Sequence, residues 1–250
     1  MRADQLLVER GLAATRSQAQ RLIAAGVQWR LPEGDWRAVS KNGEELRDVA
    51  ELRLLDSAET RYVSRGGLKL EGALKHTGLE VSGLRCLDVG QSSGGFTDCL
   101  LQHGAARVVG VDVGQGQLHP SLRSNPRVVC IEKCNARELT ADALRDAGAA
   151  PPFELIVGDL SFISQTLVWP ALVPLLETGG RLLTLVKPQF ELQPEHIGKG
   201  GLVKDAVSHE RVRERIEQAC RDNGLTLQDY FDSPITGGDG NREFFVCASK

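Results

Sequence analysis

The sequence predicts an α/β protein, a seven-stranded and mostly parallel sheet covered by helices, preceded by a small α+β unit. Three features point there. From residue 85 onward, apolar runs of strand length alternate with helical patterns, which places helices on both faces of a parallel sheet. The last two runs are joined by the loop 233–242 rather than a helix, so the final strand is expected to run antiparallel. Before residue 58, two short helical patterns lead into three short alternating segments separated by turns.

In the first unit, 1–58, Leu6, Leu7 and Val8 fall in a short helix that Gly11 ends. Thr15-Arg16-Ser17-Gln18 has capping-box spacing for a second helix that reaches Ala25 and is closed by Gly26. Ala19, Leu22 and Ile23 form its apolar stripe, which leaves Arg16 and Arg21 to project from the other side. Segments 27–31, 36–39 and 52–55 alternate like strands around turns at Pro32-Glu33-Gly34 and Asn42-Gly43. A linker is expected at 59–66, and the second unit at 67–250. Its strands are expected at 85–89, 107–111, 128–132, 155–157, 181–186, 225–231 and 244–248. Helices are expected to begin near Leu68, Phe96, Leu118, Leu139, Ile163 and Ser208. A seven-stranded sheet with a reversed last strand is the methyltransferase variant of the Rossmann-like layout. The glycine-rich stretch 191–203 is expected to be a mobile loop over the site.

Length and charge narrow the class. The 250 residues leave room for one large α/β core plus a small module. No stretch is long and apolar enough to span a bilayer and no secretory pattern opens the chain, so a cytoplasmic location is expected. Six cysteines lie scattered with no C-x-x-C pair, which reads as reduced core residues and no metal site. The net charge of -3 conceals two basic segments, 1–30 and 61–75, each carrying +3. Clustered cations on a mildly acidic chain suggest a local footprint for a polyanion.

The segment from Cys86 to Thr97 carries the most chemistry. An apolar run ends in Asp88 and opens into Gly90, Ser92, Gly94 and Gly95 before Phe96 starts a helix. Glycines allow positive φ and close ligand approach, and the helix that follows offers a partly positive end. The spacing departs from the dinucleotide G-x-G-x-x-G loop, and an early carboxylate suits a ligand with a cationic amino-acid end, such as S-adenosylmethionine. Asp112 closes the next strand, where a carboxylate accepts ribose hydroxyls. Asn135 and Ala136 follow the third strand and could flank the base, and Asp159 closes the fourth. Each acid taken alone also fits a helix cap or a turn.

Lys69, Asp159, Lys187 and Glu243 are the candidate catalytic set. Lys187 follows the apolar run 182–186 directly and is costly to bury unless paired. A lone strand-end lysine more often snorkels to solvent, but here two acids and a second lysine are expected to converge with it. Methyl transfer from a sulfonium to a ribose 2′-hydroxyl needs in-line geometry and a proton acceptor. An amine tipped towards its neutral form by burial and a neighbouring cation can serve. Lys187 is thus expected to be the base and Asp159 its orienting partner, with Lys69 positioning the hydroxyl or phosphate and Glu243 holding Lys69. Asp159-Leu160-Ser161-Phe162 lacks the two prolines usual for methylation of base amino groups, and no cysteine occupies a strand-end loop for pyrimidine C5 chemistry.

These residues carry a resemblance. Residues 1–12 with 17–26 look like an S4 RNA-binding domain. Tyr62-Val63-Ser64-Arg65-Gly66-Gly67-Leu68-Lys69-Leu70, the Asp88 loop, Lys187-Pro188-Gln189-Phe190-Glu191 and Gly240-Asn241-Arg242-Glu243-Phe244 resemble the TlyA, or hemolysin A, family. The match covers essentially the whole chain. It implies an S4 domain joined to an FtsJ-like methyltransferase that modifies cytidine 2′-hydroxyls in bacterial ribosomal RNA, 16S or 23S or both. The family's Lys-Asp-Lys-Glu tetrad maps onto Lys69, Asp159, Lys187 and Glu243. Gln91 and Ser93 stand where Ala and Thr are usual, Gln115 where an aromatic is common, and Gln28-Trp29-Arg30 replaces an apolar strand. The cofactor expected is S-adenosylmethionine, and the partner ribosomal RNA or ribosomal subunits, with Arg2, Arg16, Arg21, Arg65 and Lys69 as candidate RNA contacts. The competing class is an RNA-binding assembly factor with a vestigial cofactor pocket. A membrane-active reading of the hemolysin name finds no support in the mixed charge of the helices.

Overall fold

The computed structural model describes residues 1–55 and 61–250. It divides into two compact units, Met1–Ser64 and Arg65–Lys250. The expected linker at 59–66 lies partly outside the described residues, and the division falls at its far end.

The first unit opens with α1 (Ala3–Glu9) and α2 (Arg16–Gly26). Gly11 ends α1 by taking φ +69°, and the Thr15 hydroxyl caps α2 by accepting from the Gln18 N–H at 3.2 Å. Three short strands follow, β1 (Val27–Arg30), β2 (Arg37–Ala38) and β3 (Glu51–Leu54), paired antiparallel in the order β2-β1-β3. Leu6, Leu7, Ala19, Leu22 and Val27 are buried together between helices and sheet. Asp4 is buried among them, and two arginines offset its charge. Arg2 grips the carboxylate with two hydrogen bonds of 3.0 Å, and Arg16 adds one of 3.1 Å. The Arg2 guanidinium holds the Asp4 carboxyl well below the usual range.

The second unit begins with α3 (Gly66–Thr77), then β4 (Arg85–Val89), α4 (Gly95–Gln102), β5 (Arg107–Val111), α5 (Pro120–Arg123) and β6 (Val128–Ile131). It continues through α6 (Ala141–Asp146), β7 (Phe153–Gly158), α7 (Trp169–Leu172), β8 (Leu176–Val186) and α8 (Pro188–Glu191). It closes with α9 (Ala206–Asp222), β9 (Thr226–Asp232) and β10 (Phe244–Ser249). The sheet order is β6-β5-β4-β7-β8-β10-β9, and β10 alone of these seven runs against its neighbours. Its central strands read as continuous apolar runs because both faces are covered. Leu87, Val89, Ile156, Val157, Leu182 and Leu183 are all fully buried.

Two expected helices shrink to single turns. The one near Leu118 is reduced to α5, and the one near Ile163 is broken into turns at 165–167, 169–172 and 173–175. Pro170 and Pro174 account for the second case, since each removes an N–H and crowds the preceding turn. Trp169, fully buried, anchors that broken crossover in the core. Strand β8 starts five residues before the expected 181, passing through Gly179 at φ +80°. The far end of the 191–203 stretch is tied down rather than loose. The Val203 N–H donates to Asn241 Oδ1 at 2.9 Å, and Asn241 Nδ2 donates to the Gly201 carbonyl at 3.0 Å.

Candidate active site

In a parallel sheet the strand ends present one edge to a ligand. Asp112 and Asp159 sit one residue beyond β5 and β7, and Lys187 one residue beyond β8. Glu243 reaches the same edge from the other direction. It precedes β10, and antiparallel pairing sets Phe244 opposite Val186. Lys69 comes from the first turns of α3.

These groups meet as two ion pairs. Lys69 Nζ donates to Glu243 Oε2 at 2.6 Å, with both residues buried. Lys187 Nζ lies 2.5 Å from Asp159 Oδ1, a charge contact, and aims its hydrogen bond at Ser161 Oγ, 2.8 Å away. The pairs are coupled. Burial pushes the Glu243 carboxyl above its ordinary range, Lys69 and then Lys187 pull it back, and Asp159 pushes it further up. All four expected catalytic residues are therefore brought into one electrostatic cluster.

Beside the cluster is a cavity of about 550 Å³. Six of the expected cofactor residues line it: Gly90, Ser92, Asp112, Asn135, Ala136 and Asp159. Asp112 is fixed by two backbone donors, Ser92 N–H to Oδ2 and Gly114 N–H to Oδ1, both at 2.7 Å. Ser92 takes φ +48° to make its contact. Gly90 has no alternative, because it sits at φ +83° and a Cβ there would lie 2.8 Å from the Asp159 carbonyl oxygen. Asn135 caps the turn after β6 by accepting from the Arg137 N–H at 3.2 Å. The opposite wall is apolar, with Val113, Leu160 and Ile163. A carboxylate at one side and an apolar wall at the other fit the ribose and base of S-adenosylmethionine.

Four expected cofactor residues stand elsewhere. Asp88 is wholly buried beneath the loop, where Thr97 Oγ1 donates to its Oδ2 at 2.7 Å and Gln91 Nε2 donates to Thr97 Oγ1 at 2.9 Å. Its other oxygen has no hydrogen-bond partner among the described residues. Burial pushes its carboxyl up to about 7; the Thr97 hydrogen bond opposes this, and Asp159 and Asp112 add to it. Gly94 serves packing, since a Cβ there would lie 2.3 Å from Leu122 Cδ1. Gly95 is buried in the first turn of α4. Phe96 is buried with its ring 6.3 Å from that of Phe245.

Ser161 and Phe162 were within the sequence signal but unassigned, because Asp159-Leu160-Ser161-Phe162 reads chiefly as a motif without prolines. Phe162 is 90% exposed at φ +64°, lines the cavity and has its ring centroid 5.1 Å from that of Phe190. Gln91 also acquires a reason. Its amide lies flat on β5, where a Cβ on Gly110 would be 1.9 Å from Gln91 Cδ.

The expected RNA contacts are dispersed. Arg2 and Arg16 are partly exposed, with side chains 42% and 54% accessible, while both pair with Asp4. Arg21 Nη1 donates to the Ser17 carbonyl at 3.1 Å, and Arg65 Nη2 to the Thr236 carbonyl at 3.5 Å. Lys69 is only 8% exposed and is held by Glu243, so its ammonium is no surface contact for phosphate. Among the described residues, no cluster of His, Cys, Asp and Glu is arranged to hold a metal, and no helix is long and apolar enough to cross a membrane.

Residues 62–250 match the family model of the FtsJ-like methyltransferases. The chain is 42% identical over 245 residues to the 16S/23S rRNA (cytidine-2′-O)-methyltransferase TlyA of Mycobacterium tuberculosis, covering 98% of this chain and 88% of that one. It is 36% identical over 246 residues to Hemolysin A of Brachyspira hyodysenteriae, covering 98% of both. A solved Streptococcus thermophilus structure described as a hemolysin superposes with a TM-score of 0.76 at 40% identity, covering 100% of this chain and 88% of that one. With near full-length identity on one side and the sheet, cavity and edge carboxylates on the other, the chain belongs to the FtsJ-like methyltransferase family, in its TlyA or hemolysin A group.

Proposed function

We propose that this protein methylates the ribose 2′-hydroxyl of cytidine in ribosomal RNA, 16S or 23S or both, with S-adenosylmethionine as donor. The observation that carries the reading is the joining of two lysine–carboxylate pairs at one sheet edge beside the cavity. Bound in the cavity, S-adenosylmethionine supplies an electrophilic methyl group. Asp112 would hold its ribose, and Asn135 and Ala136 would flank its base. The residues of the chain then handle the proton. Lys187 Nζ, in its neutral form, accepts the proton of the 2′-hydroxyl as the oxygen attacks the methyl carbon. Asp159 orients the amine and stabilises the ammonium that results, and Ser161 fixes it from a second side. Lys69, held by Glu243, positions the ribose or the adjacent phosphate. Phe162 offers its free face to the base of a nucleotide drawn out of its stack.

The first unit serves in this reading as an S4-type RNA-binding domain, with the arginines of α2 and its neighbours gripping phosphates, and the cytoplasm as the place of action. The test is methyl transfer from labelled S-adenosylmethionine to bacterial ribosomal RNA by the purified protein, followed by mapping of 2′-O-methyl marks. A cytidine 2′-O-methyl mark is expected. A protein that binds neither the cofactor nor the RNA, or that marks a base, would refute the reading.

A further inference from the structure

A second depression, of about 570 Å³, opens in the segment between α8 and α9. Lys199, Lys204 and Arg211 line it together with His196, and all four are exposed. Neither lysine ammonium makes a hydrogen bond or ion pair with another described residue. Arg211 Nη1 lies 3.3 Å from His196 Nε2, so the guanidinium and the ring face the opening as one group. Two carboxylates also line the depression, Asp205 and Glu195. Asp205 is committed to capping α9, accepting from the Ser208 N–H at 2.7 Å. Three permanent cations therefore face one uncommitted carboxylate.

The chemistry of the lining selects the ligand. No Phe, Tyr or Trp borders the depression, so it offers no platform on which a base could stack. Lysine ammonium groups act as point charges suited to phosphate oxygens, and a guanidinium can bind two of them. The location selects its source. The segment begins directly after the Lys187 strand end, and its far end is fastened by Asn241, which is buried and lies two residues before Glu243. The cations are thus held in register with both strands that carry the catalytic cluster.

We propose that this depression binds a phosphate of the RNA backbone flanking the target nucleotide, through Lys199, Lys204 and Arg211. The inference rests on the RNA-methylating reading and adds a phosphate contact within the methyltransferase unit itself.

The test compares the wild-type protein with Lys199→Gln/Lys204→Gln, binding to ribosomal RNA being followed across salt concentrations. Both side chains are exposed and unpaired, so the double variant is expected to fold and to bind S-adenosylmethionine normally. Its RNA binding should weaken, and the slope of log affinity against log salt should fall by about 0.7–0.9 for the phosphate released. Turnover at saturating RNA should be unchanged. Glu195→Gln, which removes the opposing charge, should tighten binding. An unchanged affinity and slope in the double variant, with wild-type protein still methylating RNA, would overturn this proposal alone. A wild-type protein that fails to bind ribosomal RNA at all would instead bring down the reading beneath it.

Discussion

Replacing Asp88 by Asn separates its structural from its ligand role. The Asp88 carboxyl is wholly buried, with one oxygen bonded to Thr97 and the other unpartnered, and its titration is pushed up to about 7. Ionising it inside the fold is therefore unfavourable. The gap between about 7 and the ordinary carboxylate value near 3.9 corresponds to roughly 4 kcal/mol, an upper bound on the cost. The sign follows from the raised value. Stability held by the protonated carboxyl is fully present below about pH 4 and is lost as pH rises through about 7. An amide accepts the Thr97 hydrogen bond as the protonated acid does, but carries no charge to ionise. Urea unfolding of the two proteins between pH 4 and pH 8 should give similar stabilities at the acid end. Asp88→Asn should then become progressively more stable than wild type, approaching roughly 4 kcal/mol at most. Its affinity for S-adenosylmethionine should be unchanged, because Asp88 does not line the cavity. Parallel pH profiles would refute the burial argument, and lost cofactor binding would restore the ligand role that the sequence suggests.

Lys69→Met strands a buried carboxylate at Glu243 and is expected to cost about 3–5 kcal/mol, with Lys69→Met/Glu243→Leu recovering much of it; thermal unfolding of the singles and the double closes that cycle. Phe162→Ala should leave unfolding unaffected, since the ring is 90% exposed, while raising KM for RNA by the about 1–3 kcal/mol of a lost base stack; an unchanged KM would remove Phe162 from the substrate site. Glu191→Ala should destabilise the protein by about 1–3 kcal/mol in urea unfolding, because the buried carboxylate holds Ser164 Oγ at 2.5 Å and the Gln165 N–H at 2.9 Å, and those donors would be left unpaired.

The sheet was legible because its strands are short, apolar and separated by helical patterns, and because a loop in place of a helix before residue 244 reverses the last strand. The crossover after β7 was not, since Ile163 to Leu175 has the apolar content of a helix and only Pro170 and Pro174 hint that it breaks. Within the site, Lys187 and Asp159 could be placed from strand ends alone. The Lys69–Glu243 contact joins residues 174 apart, and only a proton-transfer chemistry or a family resemblance connects them beforehand. Asp88 shows the limit of motif reading. A carboxylate before a glycine loop looks the same in sequence whether it faces a ligand or lies beneath the loop, and here burial and Thr97 decide. Gln91 was visible as a departure, but its fit depends on the missing side chain of Gly110, on a neighbouring strand.

The account stands most directly on Lys187. Single-turnover methyl transfer to ribosomal RNA should be measured for wild type and Lys187→Ala, alongside calorimetric binding of S-adenosylmethionine. Loss of a proton acceptor predicts a rate lower by about 10²–10⁴-fold with cofactor binding intact. A folded Lys187→Ala protein that transfers methyl groups at the wild-type rate would contradict the role assigned to that amine.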